Sequence, residues 1–310
     1  FMNGHLIYDE LPTLNDPTLI VSFRGWSDAQ EGASRAVRYI TRRLPSKRFA
    51  EIDPEEFYVF TRTRPMARYD PSGNRTIRWP FNNFSFWESE KKEKDLLFFS
   101  GVEPNLRWRT YSDALLEIVE RCNVSRVVIL GSLIDNTPHT RDPGVSGTST
   151  IPEFHQLFEE LGVRQGTGYQ GPVSIMTVFA EACKSRDLEL ASLWVHCPHY
   201  LQAAPNPKAS YALLWRLAKL LRIDVDLKEM VDAASTFEVE INRALAYNSD
   251  ANDYVRQLED RYDRSRGNTL PGASDELPSS DVVIQDLEEF LRTRGRESGE
   301  SNDPGSIEES

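Results

Sequence analysis

Thr18-Leu19-Ile20-Val21-Ser22-Phe23-Arg24-Gly25-Trp26-Ser27-Asp28-Ala29 is the stretch that decides the fold class. Residues 18–23 form a short apolar run without polar alternation, the pattern of a strand covered on both faces. The run breaks at Arg24-Gly25. From 29 to 44, Ala33, Ala36, Val37 and Ile40 then recur at helical spacing behind Asp28, a residue type that caps helices. A strand leading straight into a helix is the repeating unit of an α/β sheet.

The same alternation extends outward. Strands are predicted at 57–61, 95–100, 126–131 and 188–196, and helices at 110–121, 152–161 and 173–185. Asp70-Pro71-Ser72-Gly73-Asn74 is a turn signal flanked by Thr76-Ile77-Arg78-Trp79 and Phe84-Ser85-Phe86-Trp87, which predicts a β-excursion. After Pro207 the pattern becomes helical. Its stripes are Tyr211, Leu214, Trp215 and Ala218; then Met230, Ala234, Phe237, Ile241 and Leu245; then Tyr254, Val255, Leu258 and Tyr262. The reading divides the chain into an α/β core over 1–206, a helical extension packed on it over 207–265, and a largely disordered acidic tail over 266–310. Within the tail, 281–294 is a candidate short helix with Val283, Leu287, Phe290 and Leu291 on one face.

Charge bounds the partners. The 310 residues carry a net −12, and the tail, with four arginines against eleven acids, accounts for −7 of it. Neither part is basic, so general binding to nucleic acid is excluded. No apolar run approaches the roughly 20 residues that span a bilayer, and the N-terminus lacks a basic segment followed by an apolar one, so no membrane association is predicted. Cys122, Cys183 and Cys197 are an odd number without a C-x-x-C pair; they read as buried thiols of a cytoplasmic protein.

Open α/β sheets bind ligands beyond the carboxyl ends of their strands. There this chain places Arg24-Gly25-Trp26-Ser27-Asp28, Glu103-Pro104-Asn105-Leu106-Arg107-Trp108, Asp135-Asn136-Thr137-Pro138-His139-Thr140-Arg141 and His196-Cys197-Pro198-His199-Tyr200. With parallel strands, Arg24, Asp28, Glu103, Asp135, His139, Arg141 and His199 converge on one rim as candidate ligand-binding residues. An arginine would hold an anion, His139 or His199 would act as general acid, and Asp135 or Glu103 would hold a hydroxyl or orient the histidine. The catalytic candidates are thus His139, His199 and Asp135. Three of the rim residues have a structural alternative: Asp28 as a helix cap, Glu103 as the ion-pair partner of Arg107, Asp135 as a clamp on its own loop. A loop of about twenty residues after the fourth strand is long enough to call for a function or an ordering partner.

Other motifs carry less. His196 and His199 are spaced like metal ligands, but Pro198 between them opposes a helical pair and no third ligand has a place, so no metal site is assigned. Gly166-Thr167-Gly168-Tyr169-Gln170-Gly171 matches the dinucleotide fingerprint in letters. A helix and only the short Val163-Arg164 precede it, so it reads as the turn into a helix opened by Pro172. G-x-S-x-G and the Walker phosphate loop are absent, which disfavours a serine hydrolase of the elbow type and a P-loop NTPase. No cofactor is predicted.

Asp135 to Arg141, Tyr169-Gln170-Gly171-Pro172, Leu193-Trp194 with Pro198-His199-Tyr200, and Pro205-Asn206-Pro207-Lys208-Ala209 together resemble the actinobacterial branch of the proteasome assembly chaperone 2 (PAC2) family. Phe23-Arg24-Gly25-Trp26 with Asp28-Ala29, and Glu103 to Trp108, resemble it too. The resemblance implies a three-layer α/β/α fold with a mostly parallel central sheet, similar to the phosphorylase/hydrolase-like fold, plus a helical C-terminal extension. It implies self-association, with a trimer as candidate stoichiometry, and proteasome-related proteins as candidate partners. Ring-docking relatives use a C-terminal hydrophobic–Tyr–any-residue tail; this sequence reads Ile307-Glu308-Glu309-Ser310 there.

Two classes of function follow. The favoured one is a non-enzymatic assembly or scaffold protein. The alternative is a small-molecule enzyme, phosphorylase/hydrolase-like or ATP-grasp-like, acting on a nucleoside- or phosphate-type ligand at the strand ends. Catalysis requires Asp135, His139, Arg141 and His199 around a solvent-reachable cavity, whereas a structural role predicts them buried and paired.

Overall fold

The computed structural model describes residues 4–8, 10–90, 94–166, 168–201, 205–246 and 249–265. The acidic tail, with its candidate helix over 281–294, lies outside them. In chain order the elements are β1 (Leu6–Tyr8), β2 (Thr18–Arg24), α1 (Gly32–Arg43), β3 (Lys47–Ile52), β4 (Met66–Tyr69), β5 (Arg75–Arg78), β6 (Asn82–Trp87), β7 (Leu96–Val102), α2 (Trp108–Arg121), β8 (Arg126–Asp135), β9 (Val145–Ser149), α3 (Pro152–Glu160), β10 (Val163–Gln165), α4 (Ile175–Lys184), β11 (Glu189–Pro198), α5 (Pro207–Leu221), α6 (Lys228–Leu245) and α7 (Ser249–Ser265).

Nine strands form one sheet in the order β1-β3-β6-β7-β2-β8-β11-β9-β10. Its centre, β7-β2-β8-β11, is parallel. Antiparallel pairing extends it on both sides, through β6 and β3 at one edge and through β9 against β11 at the other. The central strands are apolar on both faces because helices cover both. One layer unites α1 and α5 in a single apolar cluster with Ile20, Val128, Leu193 and Val195. The opposite layer joins α2 and α4 to Leu19, Val21, Phe99 and Ile129. A third, smaller cluster holds α6 and α7 together through Ile241, Leu245, Tyr254, Val255 and Leu258, with Tyr200 and Leu201 at its base. Each of these large apolar side chains contributes about 1.5–3 kcal/mol through burial.

Three local expectations are corrected. Residues 57–61 are a turn, not a strand: Phe57 and Tyr58 plug the second cluster from outside the sheet, while the strand at this edge is the charged β3. The twenty-residue loop predicted after the fourth strand is nearly half strand. β8 runs on to Asp135 and β9 occupies Val145–Ser149, because Val145 and Gly147 alternate inward against Ser146 and Thr148 in a stretch too small and polar to read as apolar. A side chain at Gly147 would meet the Ser192 carbonyl oxygen at 2.3 Å, so only glycine lets β9 lie so close to β11. Finally, the helix predicted from Pro172 begins at Ile175, behind Ser174, and β10 directly precedes Gly166.

Among the described residues, no helix is long and apolar enough to cross a membrane. All three cysteines are free and buried. Burial pushes the Cys122 thiol up to about 11, and those of Cys183 and Cys197 up to about 12.

Candidate functional site

The predicted rim residues do sit at the strand ends, but each is committed to a partner within the chain. Arg24 pairs with Glu31 at 3.1 Å on the surface. Asp28 Oδ1 accepts the Ala33 and Ser34 N–H groups at 3.1 and 3.0 Å, capping α1 across a tight turn in which Gln30 and Glu31 have φ of 53° and 54°. Burial raises the Asp28 pKa above the ordinary carboxylate value, against the opposing hydrogen bonds from Ser34. Glu103 is not the partner of Arg107, which pairs instead with Glu56. The Glu103 carboxylate accepts the N–H groups of Trp26 and Ile175, each at 3.1 Å, and so ties the β2 loop to the start of α4. Gly25, at φ +141°, makes room for it: a Cβ there would lie 2.8 Å from Glu103 Cβ.

The β8–β9 loop, over 136–144, is fastened to the C-terminal helices. His139 is 3 % exposed. Its Nδ1 lies 2.7 Å from the Tyr200 hydroxyl and its Nε2 3.2 Å from Asn242 Oδ1 on α6. Asn242 Oδ1 can only accept, so Nε2 carries the proton and Nδ1 accepts from Tyr200. Burial depresses the imidazole pKa to about 4, outweighing the hydrogen bond to Asn242; the ring is therefore neutral. Lys208 Nζ donates to the His139 carbonyl oxygen at 2.8 Å and pairs with Glu238 of α6 at 2.5 Å. Thr140 donates to Glu259 of α7. Arg141 grips Asp263 two-pronged, Nε to Oδ1 at 3.0 Å and Nη2 to Oδ2 at 2.8 Å. His199 Nε2 lies 2.8 Å from the Tyr254 hydroxyl of α7, and burial lowers its pKa.

These contacts decide what the rim can hold. The cavity here, lined by His139, Arg141, His196, Lys208 and Phe237 among others, measures about 10 Å³, room for a single water rather than the several hundred Å³ of a ligand pocket. Of the seven rim candidates only His139 and Arg141 line it. A larger groove, about 400 Å³, lies at the opposite end of the strands between Leu116, Asn123, Arg186 and Leu188.

One arrangement escaped the sequence. His196 of β11 places Nδ1 2.7 Å from Asp135 Oδ2 and Nε2 2.9 Å from Ser146 Oγ of β9. Asp135 Oδ1 also accepts the Asn136 N–H at 2.7 Å. Burial works to raise the Asp135 pKa, but His196, Asn136 and the charge of Arg164 together hold it below the ordinary value. His196 and His199 are spaced like metal ligands, but His196 turns along the sheet face to Asp135 and Ser146. Ser146 had no signal beyond the alternation of β9.

A family model described as PAC2 family matches residues 22–245. A PAC2 family protein from Streptomyces avermitilis is 36% identical, covers 74% of this chain and 95% of its own, and superposes with a TM-score of 0.68. A proteasome-assembly chaperone homologue from Mycobacterium tuberculosis is 35% identical over 73% of this chain and 94% of its own, with a TM-score of 0.66. An archaeal proteasome activator from Pyrococcus furiosus, 17% identical, shares the fold over 77% of this chain and 97% of its own, with a TM-score of 0.63. The chain matches none of the curated proteins.

Proposed function

Because the chain belongs to the PAC2 family, we propose that it serves as an assembly-chaperone-like interaction protein that self-associates and engages proteasome-related partners. The observation that carries this reading is the hairpin β4–β5. All eight of its strand residues are exposed, and it forms a two-stranded sheet of its own, apart from the nine-stranded one. Met66, Tyr69 and Ile77 are 58 %, 75 % and 61 % exposed. A lone two-stranded hairpin is marginal in water, and apolar side chains displayed on one mark an interaction surface. Residues 62–79 carry five arginines and one aspartate, so the arm is basic on a protein of net charge −12. An acidic surface, such as a second copy of this chain, is its electrostatic complement. The clasp of His139, Arg141 and His199 on α6 and α7 supports the same reading, since it spends the predicted ligand-binding groups on internal structure.

The test is a binding assay between purified full chain and purified proteasome subunits from the same cell. Wild type retains the subunits, and the double variant Tyr69→Ser/Ile77→Ser loses at least about tenfold in affinity, as expected for two interface anchors. Failure of wild type to bind any of them overturns the partner assignment.

A further inference from the structure

Ser146, His196, Asp135 and Arg164 form a row across the sheet, one residue from each of the adjacent strands β9, β11, β8 and β10. Arg164 is registered directly beside Ser146 in the parallel β9–β10 pair, so both side chains leave the same face. We propose that this row is a nucleophilic site that hydrolyses carboxylic esters, with Ser146 as nucleophile, His196 as general base and acid, Asp135 as its positioning residue, and Arg164 as the holder of the oxyanion. The site is separate from the interaction surface above.

The hydrogen-bond polarity fits. A carboxylate can only accept, so His196 Nδ1 carries the proton and points it at Asp135 Oδ2 over 2.7 Å. That leaves Nε2 with a lone pair facing the Ser146 hydroxyl over 2.9 Å, the tautomer that a serine nucleophile needs. The site is reachable. The His196 side chain is 16 % exposed and that of Asp135 45 %, and Ser146 is half-buried. The opposite face of the same strands, with Val145, Val195 and Cys197, is sealed in the core. The register of β10 on β9 places the Arg164 cation beside Ser146, and its charge helps hold the Asp135 carboxyl below the ordinary value; backbone N–H groups of β9 are occupied by its two neighbouring strands, so a side-chain cation takes their usual part.

In the reaction, Ser146 Oγ bonds to the ester carbonyl carbon while its proton passes to His196 Nε2. The carbonyl electron pair moves onto oxygen beside Arg164. Collapse of this intermediate breaks the bond to the alkoxy oxygen, which leaves with the proton from His196 as the alcohol. Water then adds to the acyl-serine, giving its proton to Nε2, and Ser146 departs with that proton as the free acid forms. Ester and water are consumed; acid and alcohol appear.

The experiment treats the full chain with a fluorophosphonate and follows the adduct by intact and peptide mass spectrometry, alongside turnover of p-nitrophenyl acetate. The expected result is one adduct, on Ser146. It is lost in Ser146→Ala and slowed at least about 100-fold in His196→Gln, the usual worth of a general base. Asp135→Asn slows labelling at least about tenfold, and Asp135→Glu recovers part of the loss, which a purely structural carboxylate would not produce with melting temperature unchanged. Either no adduct on wild type, or an adduct on another serine that survives in Ser146→Ala and His196→Gln alike, overturns the proposal. The two variants perturb different strands, so misfolding of one leaves the other to decide.

Discussion

At His139 the fold displaces a proton equilibrium that lies close to neutral pH in the unfolded chain. Its imidazole is neutral in the folded chain because burial depresses its pKa to about 4, whereas an unfolded histidine titrates near 6.5. Below 6.5 the unfolded chain takes up a proton that the folded one resists, so the contribution of this group is intact above about pH 6.5 and falls away as pH drops toward 4. By pH 4 the loss is on the order of 3 kcal/mol. Denaturant titrations across this range should show the slope, and His139→Gln should flatten it. At Asp28, replacement by Ala removes the acceptor of two N–H groups at the start of α1 and should cost about 0.5–2 kcal/mol in the same titration. Residue types at the rim were legible in the sequence, and the capping role of Asp28 stood there as an alternative. Their partners were not legible, because Asn242, Glu259, Asp263 and Tyr254 lie 55 to 122 residues away on helices whose docking no local pattern fixes.

At the scale of elements, α7 depends on a short apolar stripe and a few polar clasps. Leu258 is 1 % exposed within the α6–α7 cluster, so Leu258→Ala should destabilise the molecule by about 2–5 kcal/mol and raise amide exchange along α7 before the central sheet opens. Arg141→Ala removes a half-exposed ion pair and should cost no more than about 1 kcal/mol; the contrast separates packing from charge at this joint. Strands buried on both faces and amphipathic helices announced themselves through their periods. β3 and β9 did not. The charged β3 is an antiparallel strand near the sheet edge, and β9 is built of Val145, Ser146, Gly147, Thr148 and Ser149, where small residues permit close strand approach but leave almost no hydrophobic signal. Missing β9 also hid Ser146, and with it the row that crosses the sheet.

For the whole molecule, the α/β class followed from the alternation of the two periods and the three-layer arrangement from the resemblance to the PAC2 family, while the antiparallel flanks followed from neither, since strand partners are chosen by pairings distant in sequence. The charge balance proved uneven in a second way: beyond the acidic tail, the exposed β4–β5 arm is basic. If acidic and basic surfaces of different copies meet, association should weaken measurably between low and physiological salt as screening shortens to about 8 Å, a trend that sedimentation velocity records. The central claim is that this chain works through surfaces it presents to other proteins, beginning with itself. Native mass spectrometry of the full chain tests it most directly. The account predicts a discrete homo-oligomer for wild type and a monomer of unchanged melting temperature for Tyr69→Ser/Ile77→Ser; a wild-type monomer, or an oligomer that the double variant leaves intact, would contradict it.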